Sequence, residues 1–247
     1  MTVPGRPLTA VITPLAEELA ALLAATAIEG ERRVGAWRFT LGRLAGAPVV
    51  LVATGDARQW AARGLIALLD AFPVDRLVVL GTAGGLSPRL APGALIVARR
   101  VREGAIDAPA PDPAWQERAL ASGRAVAGTV VTSEFILPYP EMKEALWRTL
   151  PGGGPAAVDL ETAIYARLAA RRGVPYIAVR AVLDPAEEEL PMDFNLCRRR
   201  DGRVSRSRVV GRAVLSPGRL GELVQLRRRV RLCSERLAEL AEELLAA

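Results

Sequence analysis

The chain has 247 residues, 51% of them hydrophobic, with 33 Lys+Arg against 27 Asp+Glu. It contains no histidine, which excludes imidazole catalysis and His-ligated zinc. Cys197 and Cys233 are too few and too far apart for a metal knuckle or a disulfide framework, so no metal or other cofactor is expected. No apolar run approaches the roughly 20 residues of a membrane-spanning helix, and no N-terminal segment has the charged and apolar parts of a signal peptide. These features predict a cytoplasmic protein whose residues 1–247 form one domain.

Residues 8–13, LTAVIT, read as a short strand, and PLAEELAALLAA reads as a helix with Pro14 near its start. PVVLVATG (48–55) and DRLVVLG (75–81) have the apolar, β-branched character of buried strands. A helix from Gln59 to Leu69 separates them. The second of these strands breaks at Gly81 into Gly-Thr-Ala-Gly-Gly, which reads as a tight turn or as bare backbone presented to a ligand. It matches neither the dinucleotide fingerprint nor the P-loop, because Pro88 and Pro92 interrupt any following helix and no Gly-Lys-Ser/Thr is present.

Residues 93–101, 128–137 and 175–183 continue the strands, and helices are predicted over 140–150 and 159–172. Asp159 and Glu161 fall at the start of the latter helix, and Asp184 at the exit of the next strand. Asp184 followed by Pro185 and Glu187 has the spacing of a helix cap, and Glu18 and Glu161 taken singly fit a solvated face and a helix start. Residues 186–219 show no clear period. Leu223, Leu226, Val230, Cys233, Leu237, Leu240 and Leu244 then mark one stripe of an amphipathic helix over about 220–246, either packed on the sheet or forming a seam between subunits. The alternation predicts an α/β fold with a central mixed sheet flanked by helices.

Lys143 is the only lysine, so arginine carries nearly all of the positive charge. Aromatic residues make up only 4% and do not interleave with the arginines, which argues against nucleic-acid binding.

In this order, GTAGGLSPRLAPGALIVA, VVTSEFI, VDLE and AVRAVLDPA resemble the purine nucleoside phosphorylase and nucleosidase superfamily, in particular its 5′-methylthioadenosine/S-adenosylhomocysteine nucleosidases. The resemblance covers about residues 8–190, and the segment after Asp184 is similar to hopanoid-associated members that act on adenosylhopane. It implies an adenine-nucleoside substrate, a nucleoside-phosphorylase-like fold and a homodimer. Asp184 would protonate the purine at N7, and Glu161 would take the ribose hydroxyls. Phe135 and Ile136 would wall the adenine pocket, Phe135 by stacking and Ile136 through its backbone. Leu160 would lie beneath the ribose, and Thr82, Ala83 and Gly84 would border the nucleophile.

TPLAEEL matches the segment whose last glutamate orients water, which points to Glu18 ahead of Glu17. Neither Thr13-Pro14-Leu15 nor Val78-Val79-Leu80 carries an arginine to grip phosphate, so the resemblance favours hydrolysis. Phosphorolysis using Thr82 and Arg58, with Arg63 nearby, is the alternative, as is a non-catalytic nucleoside-binding relative. The sequence departs from the family at Ala57, where a second glycine is usual, and at Leu183, where a serine is usual. Arg198, Arg199, Arg200, Arg203, Arg206 and Arg208, with Arg227, Arg228, Arg229 and Arg231, would either form a solvated or subunit-bridging face or touch an anionic membrane peripherally.

Overall fold

A computed structural model describes residues 7–214, 218 and 220–246. The strands are β1 (Thr9–Thr13), β2 (Ala27–Val34), β3 (Trp37–Leu44), β4 (Ala47–Ala53), β5 (Arg76–Gly85), β6 (Leu95–Glu103), β7 (Ile106–Asp107), β8 (Ala125–Thr132), β9 (Ala156–Asp159) and β10 (Tyr176–Asp184). The helices are α1 (Ala16–Ala25), α2 (Arg58–Ala71), α3 (Pro113–Ala121), α4 (Pro140–Arg148), α5 (Thr162–Arg171), α6 (Arg206–Val214) and α7 (Leu220–Leu245). All ten strands join one mixed sheet in the order β10-β6-β8-β9-β5-β1-β4-β3-β2, with β7 on β6. β10 also pairs with β5, so β5, β9, β8, β6 and β10 close into a ring.

Two apolar layers hold helices to this sheet. On one side Leu65 and Leu68 of α2 and Tyr165, Ala166 and Ala169 of α5 pack with Ile12, Val50, Val79 and Ala178. On the other, Leu19 and Leu22 of α1, Ala119 of α3 and Leu237, Leu240 and Leu244 of α7 pack with Val11, Leu51, Val78 and Val179. The α/β architecture with its central mixed sheet is thus as the alternation of elements predicts.

Several local expectations are corrected. Gly81–Gly85 is not a turn: β5 continues through it because partners lie on both sides. Gly81, Thr82, Ala83 and Gly84 pair with Arg180, Ala181, Val182 and Asp184 of β10, and Gly84 and Gly85 pair with Val158 and Ala157 of β9. The strand expected over 128–137 ends at Thr132, where its partner β9 ends at Asp159; Phe135 and Ile136 therefore lie in a loop. The helix expected over 159–172 begins only at Thr162, since Asp159 completes β9 and Glu161 occupies the helix-capping position. Residues 185–187 form a turn rather than a helix, so Asp184 caps nothing.

The hairpin β2–β3 and helix α3 lack a sequence expectation altogether. β2 is largely exposed and polar, which hides its alternation. The irregular 186–219 stretch holds a 3-10 turn at Phe194–Cys197 and α6, with residues 215–217 and 219 outside the described residues. The α7 stripe divides in two: Cys233, Leu237, Leu240 and Leu244 are buried, whereas Leu223, Leu226 and Val230 are half-buried.

The glycine strand matters sterically at Gly81. A Cβ there would meet Arg180 Nη1 at 2.1 Å and Pro14 Cδ at 3.0 Å. Arg180 is fully buried and cannot swing away. Gly81→Ala should therefore lower the unfolding free energy by roughly 1–3 kcal/mol, the usual cost of overpacking. Gly30→Ala on β2, where an added Cβ meets nothing within 4 Å, is the control. Urea denaturation of both variants measures the difference.

Candidate active site

The carboxyl ends of β5 and β10 lie beside the start of α1 and the start of α5, and six buried charged side chains, Glu18, Lys143, Asp159, Glu161, Arg180 and Asp184, converge there. Glu18, in the first turn of α1, is 1% exposed although its neighbour Glu17 is exposed. Its Oε1 accepts from Thr82 N at 2.8 Å and Thr82 Oγ1 at 2.7 Å, and its Oε2 accepts from Leu15 N at 2.9 Å. Ser234 of α7 donates to the Glu18 carbonyl at 2.9 Å, fixing α1 from behind. Burial pushes the Glu18 pKa up, and the Thr82 hydrogen bonds and the charge of Arg180 oppose that rise.

Arg180 of β10 crosses Gly81 and forms a buried ion pair with Asp159 at 2.6 Å. Its Nε and Nη2 donate to Thr162 Oγ1 at 3.0 and 2.8 Å, while buried Nη1 has no partner among the described residues. Asp159 also accepts from Thr132 Oγ1 at 2.8 Å, Thr162 N at 3.1 Å and Thr162 Oγ1. One carboxylate therefore fastens β8, α5 and β10 together.

Glu161 accepts from Ala57 N at 3.2 Å and is 5% exposed. Burial raises its pKa to about 8, with Asp159 adding to the rise and Arg180 opposing it. Ala57 holds φ 80° and ψ 144°, a conformation suited to glycine, and directs its N–H at Glu161. Such a conformation costs of order 1–3 kcal/mol and tends to occur at functional sites. Gly202 accommodates the extra methyl group: a Cβ on Gly202 would lie 3.0 Å from Ala57 Cβ.

Asp184 ends β10 opposite Gly84, where a Cβ would stand 3.2 Å from Asp184 Oδ2. Its burial raises the pKa to about 6 against the lowering influence of Lys143. Lys143 Nζ lies 2.6 Å from Asp184 Oδ2.

The structure thus brings Glu18, Thr82, Gly84, Glu161 and Asp184 to one end of the sheet, with half-buried Leu160 between Asp159 and Glu161. Ala83 packs instead into the apolar core, leaving only its backbone for the site. Phe135 is 56% exposed rather than an enclosed wall. The Ile136 main chain is engaged: its N–H donates to Asn195 Oδ1 at 3.0 Å and its carbonyl accepts from Asn195 Nδ2 at 2.8 Å. An adenine edge using those groups must displace that carboxamide. Arg58 pairs with Glu103, and Arg63 lines an open groove with Arg32 and Trp37. Neither bonds Glu18, Thr82 or Glu161.

The sequence reading gives no role in the site to Arg180, Lys143 or Asp159, naming Lys143 only as the single lysine and Asp159 only as an acid at a helix start. The available signal was that a charged residue lies within a buried strand in PYIAVRAVL and that the chain has a single lysine.

A family model described as the phosphorylase superfamily matches residues 9–210. A 5′-methylthioadenosine/S-adenosylhomocysteine nucleosidase of Listeria innocua is 27% identical over 187 residues, 66% of this chain and 79% of that protein. Among solved structures, an S-adenosylhomocysteine nucleosidase from Streptococcus pyogenes in complex with 5-methylthiotubericidin aligns with a TM-score of 0.76 at 19% identity, covering 99% of this chain and 98% of that one. A futalosine hydrolase mutant of Helicobacter pylori aligns with a TM-score of 0.73 at 15% identity, covering 96% and 98%. These two structures share the fold. The family match runs through Glu18, Thr82, Glu161 and Asp184, and the chain belongs to the phosphorylase superfamily.

Proposed function

We propose that this protein hydrolyses the N-glycosidic bond of an adenine nucleoside of the methylthioadenosine, adenosylhomocysteine or adenosylhopane type, releasing adenine. The observation that carries this reading is the cluster of three buried carboxylates, Glu18, Asp159 and Glu161, around a single buried guanidinium.

Breaking the bond develops positive charge on the ribose ring, so nearby carboxylates lower the barrier and an attacking water completes the reaction. Glu18, fixed by Thr82 and Leu15, orients that water and takes its proton. Glu161 accepts the ribose hydroxyls. Asp184 gives a proton to N7, so the base departs neutral as the C1′–N9 electron pair moves onto it; the water leaves its hydroxyl on C1′. Thr82 and Gly84 border the nucleophile, Leu160 underlies the ribose, and Phe135 and Ile136 flank the base.

Phosphorolysis is disfavoured by the same charges. A phosphate dianion beside Glu18 would find one arginine, already paired with Asp159, to bind it. The Listeria relative's name supports a nucleosidase.

A homodimer in the cytoplasm fits this reading. No helix among the described residues is long and apolar enough to cross a membrane. Exposed Phe135, Tyr139, Met142, Val210 and Val224 offer apolar surface for a second copy. Several of the arginines serve the fold itself. Arg198 bonds the Gly202 and Glu134 carbonyls, Arg203 stacks on Trp60, Arg206 pairs with Glu17, and Arg229 pairs with Glu188. Arg199, Arg200, Arg227 and Arg228 remain exposed and are the groups on which peripheral contact with an anionic membrane would rest.

Incubation with methylthioadenosine, adenosylhomocysteine and adenosine should yield adenine and free sugar without phosphate; a sugar-1-phosphate that requires phosphate would replace hydrolysis by phosphorolysis. Asp184→Asn should slow adenine release by roughly 10²-fold or more, the scale of a lost general acid, and full turnover in the folded variant would reject that role. Sedimentation velocity should give a dimer. At low salt, equal and negligible co-sedimentation with anionic and neutral vesicles would dismiss the membrane contact.

A further inference from the structure

Lys143 takes no part in the reaction as described so far and is unusual in three ways. It is the only lysine in a chain with 33 Lys+Arg. It projects from α4 and is fully buried. Its three N–H bonds meet three acceptors: the Pro185 carbonyl at 2.8 Å, the Glu188 carbonyl at 2.8 Å and, in an ion pair, Asp184 Oδ2 at 2.6 Å.

Three acceptors converging on one nitrogen match an ammonium and not the planar fork of a guanidinium. Pairing with Asp184 and an acceptor for every N–H offset the cost of burying this cation. The two carbonyls belong to the turn directly after β10, so Lys143 fastens α4 to the chain on the C-terminal side of Asp184. Asp184 Oδ2 is thereby occupied, while Oδ1 accepts no hydrogen bond from the described residues and is left for the leaving base.

We propose that Lys143 is the positioning residue of the acid step: it fixes Asp184 with Oδ1 toward the base and neutralises the carboxylate formed when the proton leaves. This deepens the nucleosidase reading and rests on Asp184 as its acid. In the step, the Asp184 Oδ1–H bond breaks, the N7–H bond forms, and the C1′–N9 electron pair moves onto the purine. Lys143 keeps its three protons throughout. The proton that water gives to Glu18 returns through solvent to Asp184 before the next turnover.

The other charged or titratable groups facing Asp184 are few. Glu188 opposes its ionisation but pairs with Arg229 of α7 at 2.5 Å, and Arg229 itself favours the carboxylate. Cys233 of α7 donates to the Val182 carbonyl at 3.4 Å and stays protonated, its pKa pushed up to about 12 by burial. Burial sets the Asp184 pKa high and Lys143 is the largest opposing influence, with a net result of about 6. Without the ammonium, burial acts less opposed and the carboxyl holds its proton to higher pH. Because the acid works only when protonated, the fall of kcat/KM at high pH marks its free-enzyme pKa.

The test is the pH profile of adenine release by wild type, Lys143→Met and Asp184→Asn. In Lys143→Met the alkaline limb should move up by about 1–3 pH units, the reach of an opposite charge at this range, with a lower plateau. An unmoved limb in a folded, active Lys143→Met overturns the proposal. Since the chain has one lysine, selective ¹³Cε-lysine labelling gives a single side-chain signal to follow in the wild type, so the measurement survives a Lys143→Met that fails to fold. That signal should shift with pH as Asp184 ionises and lose this step in Asp184→Asn; a signal indifferent to Asp184→Asn overturns the pairing. Full turnover by Asp184→Asn would instead remove the acid reading on which the proposal rests.

Discussion

The buried Arg180–Asp159 ion pair is the constraint around which the site is organised. Arg180 comes from β10, Asp159 from the end of β9, and the guanidinium fits only because Gly81 of β5 carries no side chain. Moving two charges out of water costs several kcal/mol per ion, which their attraction offsets only where further hydrogen bonds support the pair. Here Thr132 and Thr162 complete the shell of Asp159, and Thr162 also accepts from Arg180. Removing either ion would strand the other in the core, so the junction of three strands and α5 is fixed in one arrangement.

That junction then sets the electrostatics of its neighbours. The Arg180 charge moderates the desolvation of Glu18 and Glu161. Asp159 raises the cost of ionising Glu161, and the Ala57 N–H relieves part of it. Asp184 lies far enough along β10 that its charge partners are of another kind: Lys143 on α4, with Arg229 and Glu188 behind. Two buried cations therefore divide four carboxylates into two sets, Glu18, Asp159 and Glu161 around Arg180 and Asp184 beside Lys143. This division suits a reaction that needs stabilised positive charge at one place and a proton donor at another.

The outer elements hold these sets in place. Ser234 of α7 bonds the α1 backbone at Glu18, and the apolar C-terminal half of α7 packs on the sheet beneath. On the opposite side, the segment after the 3-10 turn folds back over the start of α2: Val204 N donates to Asp56 at 2.7 Å and Arg203 stacks on Trp60 with its guanidinium carbon 3.9 Å from the ring centroid. Asn195 of the 3-10 turn bonds the Ile136 main chain and so ties this segment to the loop after β8.

By itself the sequence determined the α/β class, most strand positions, and the candidacy of Glu18, Thr82, Glu161 and Asp184. Apolar, β-branched runs and ordered motifs are local properties, legible in one dimension. Tertiary structure alone decided that Gly81–Gly85 is strand, because its hydrogen-bond partners lie about 70 to 100 residues away in β9 and β10. It also decided that Asp184 faces Lys143 instead of capping a helix, and that Ala83 belongs to the core. β9 escaped detection because four residues are too few to show a period. Arg180 and Lys143 escaped because a charge in an apolar stretch carries no mark of its partner: whether it is exposed, paired or catalytic depends on which distant carboxylates the fold brings within hydrogen-bond reach.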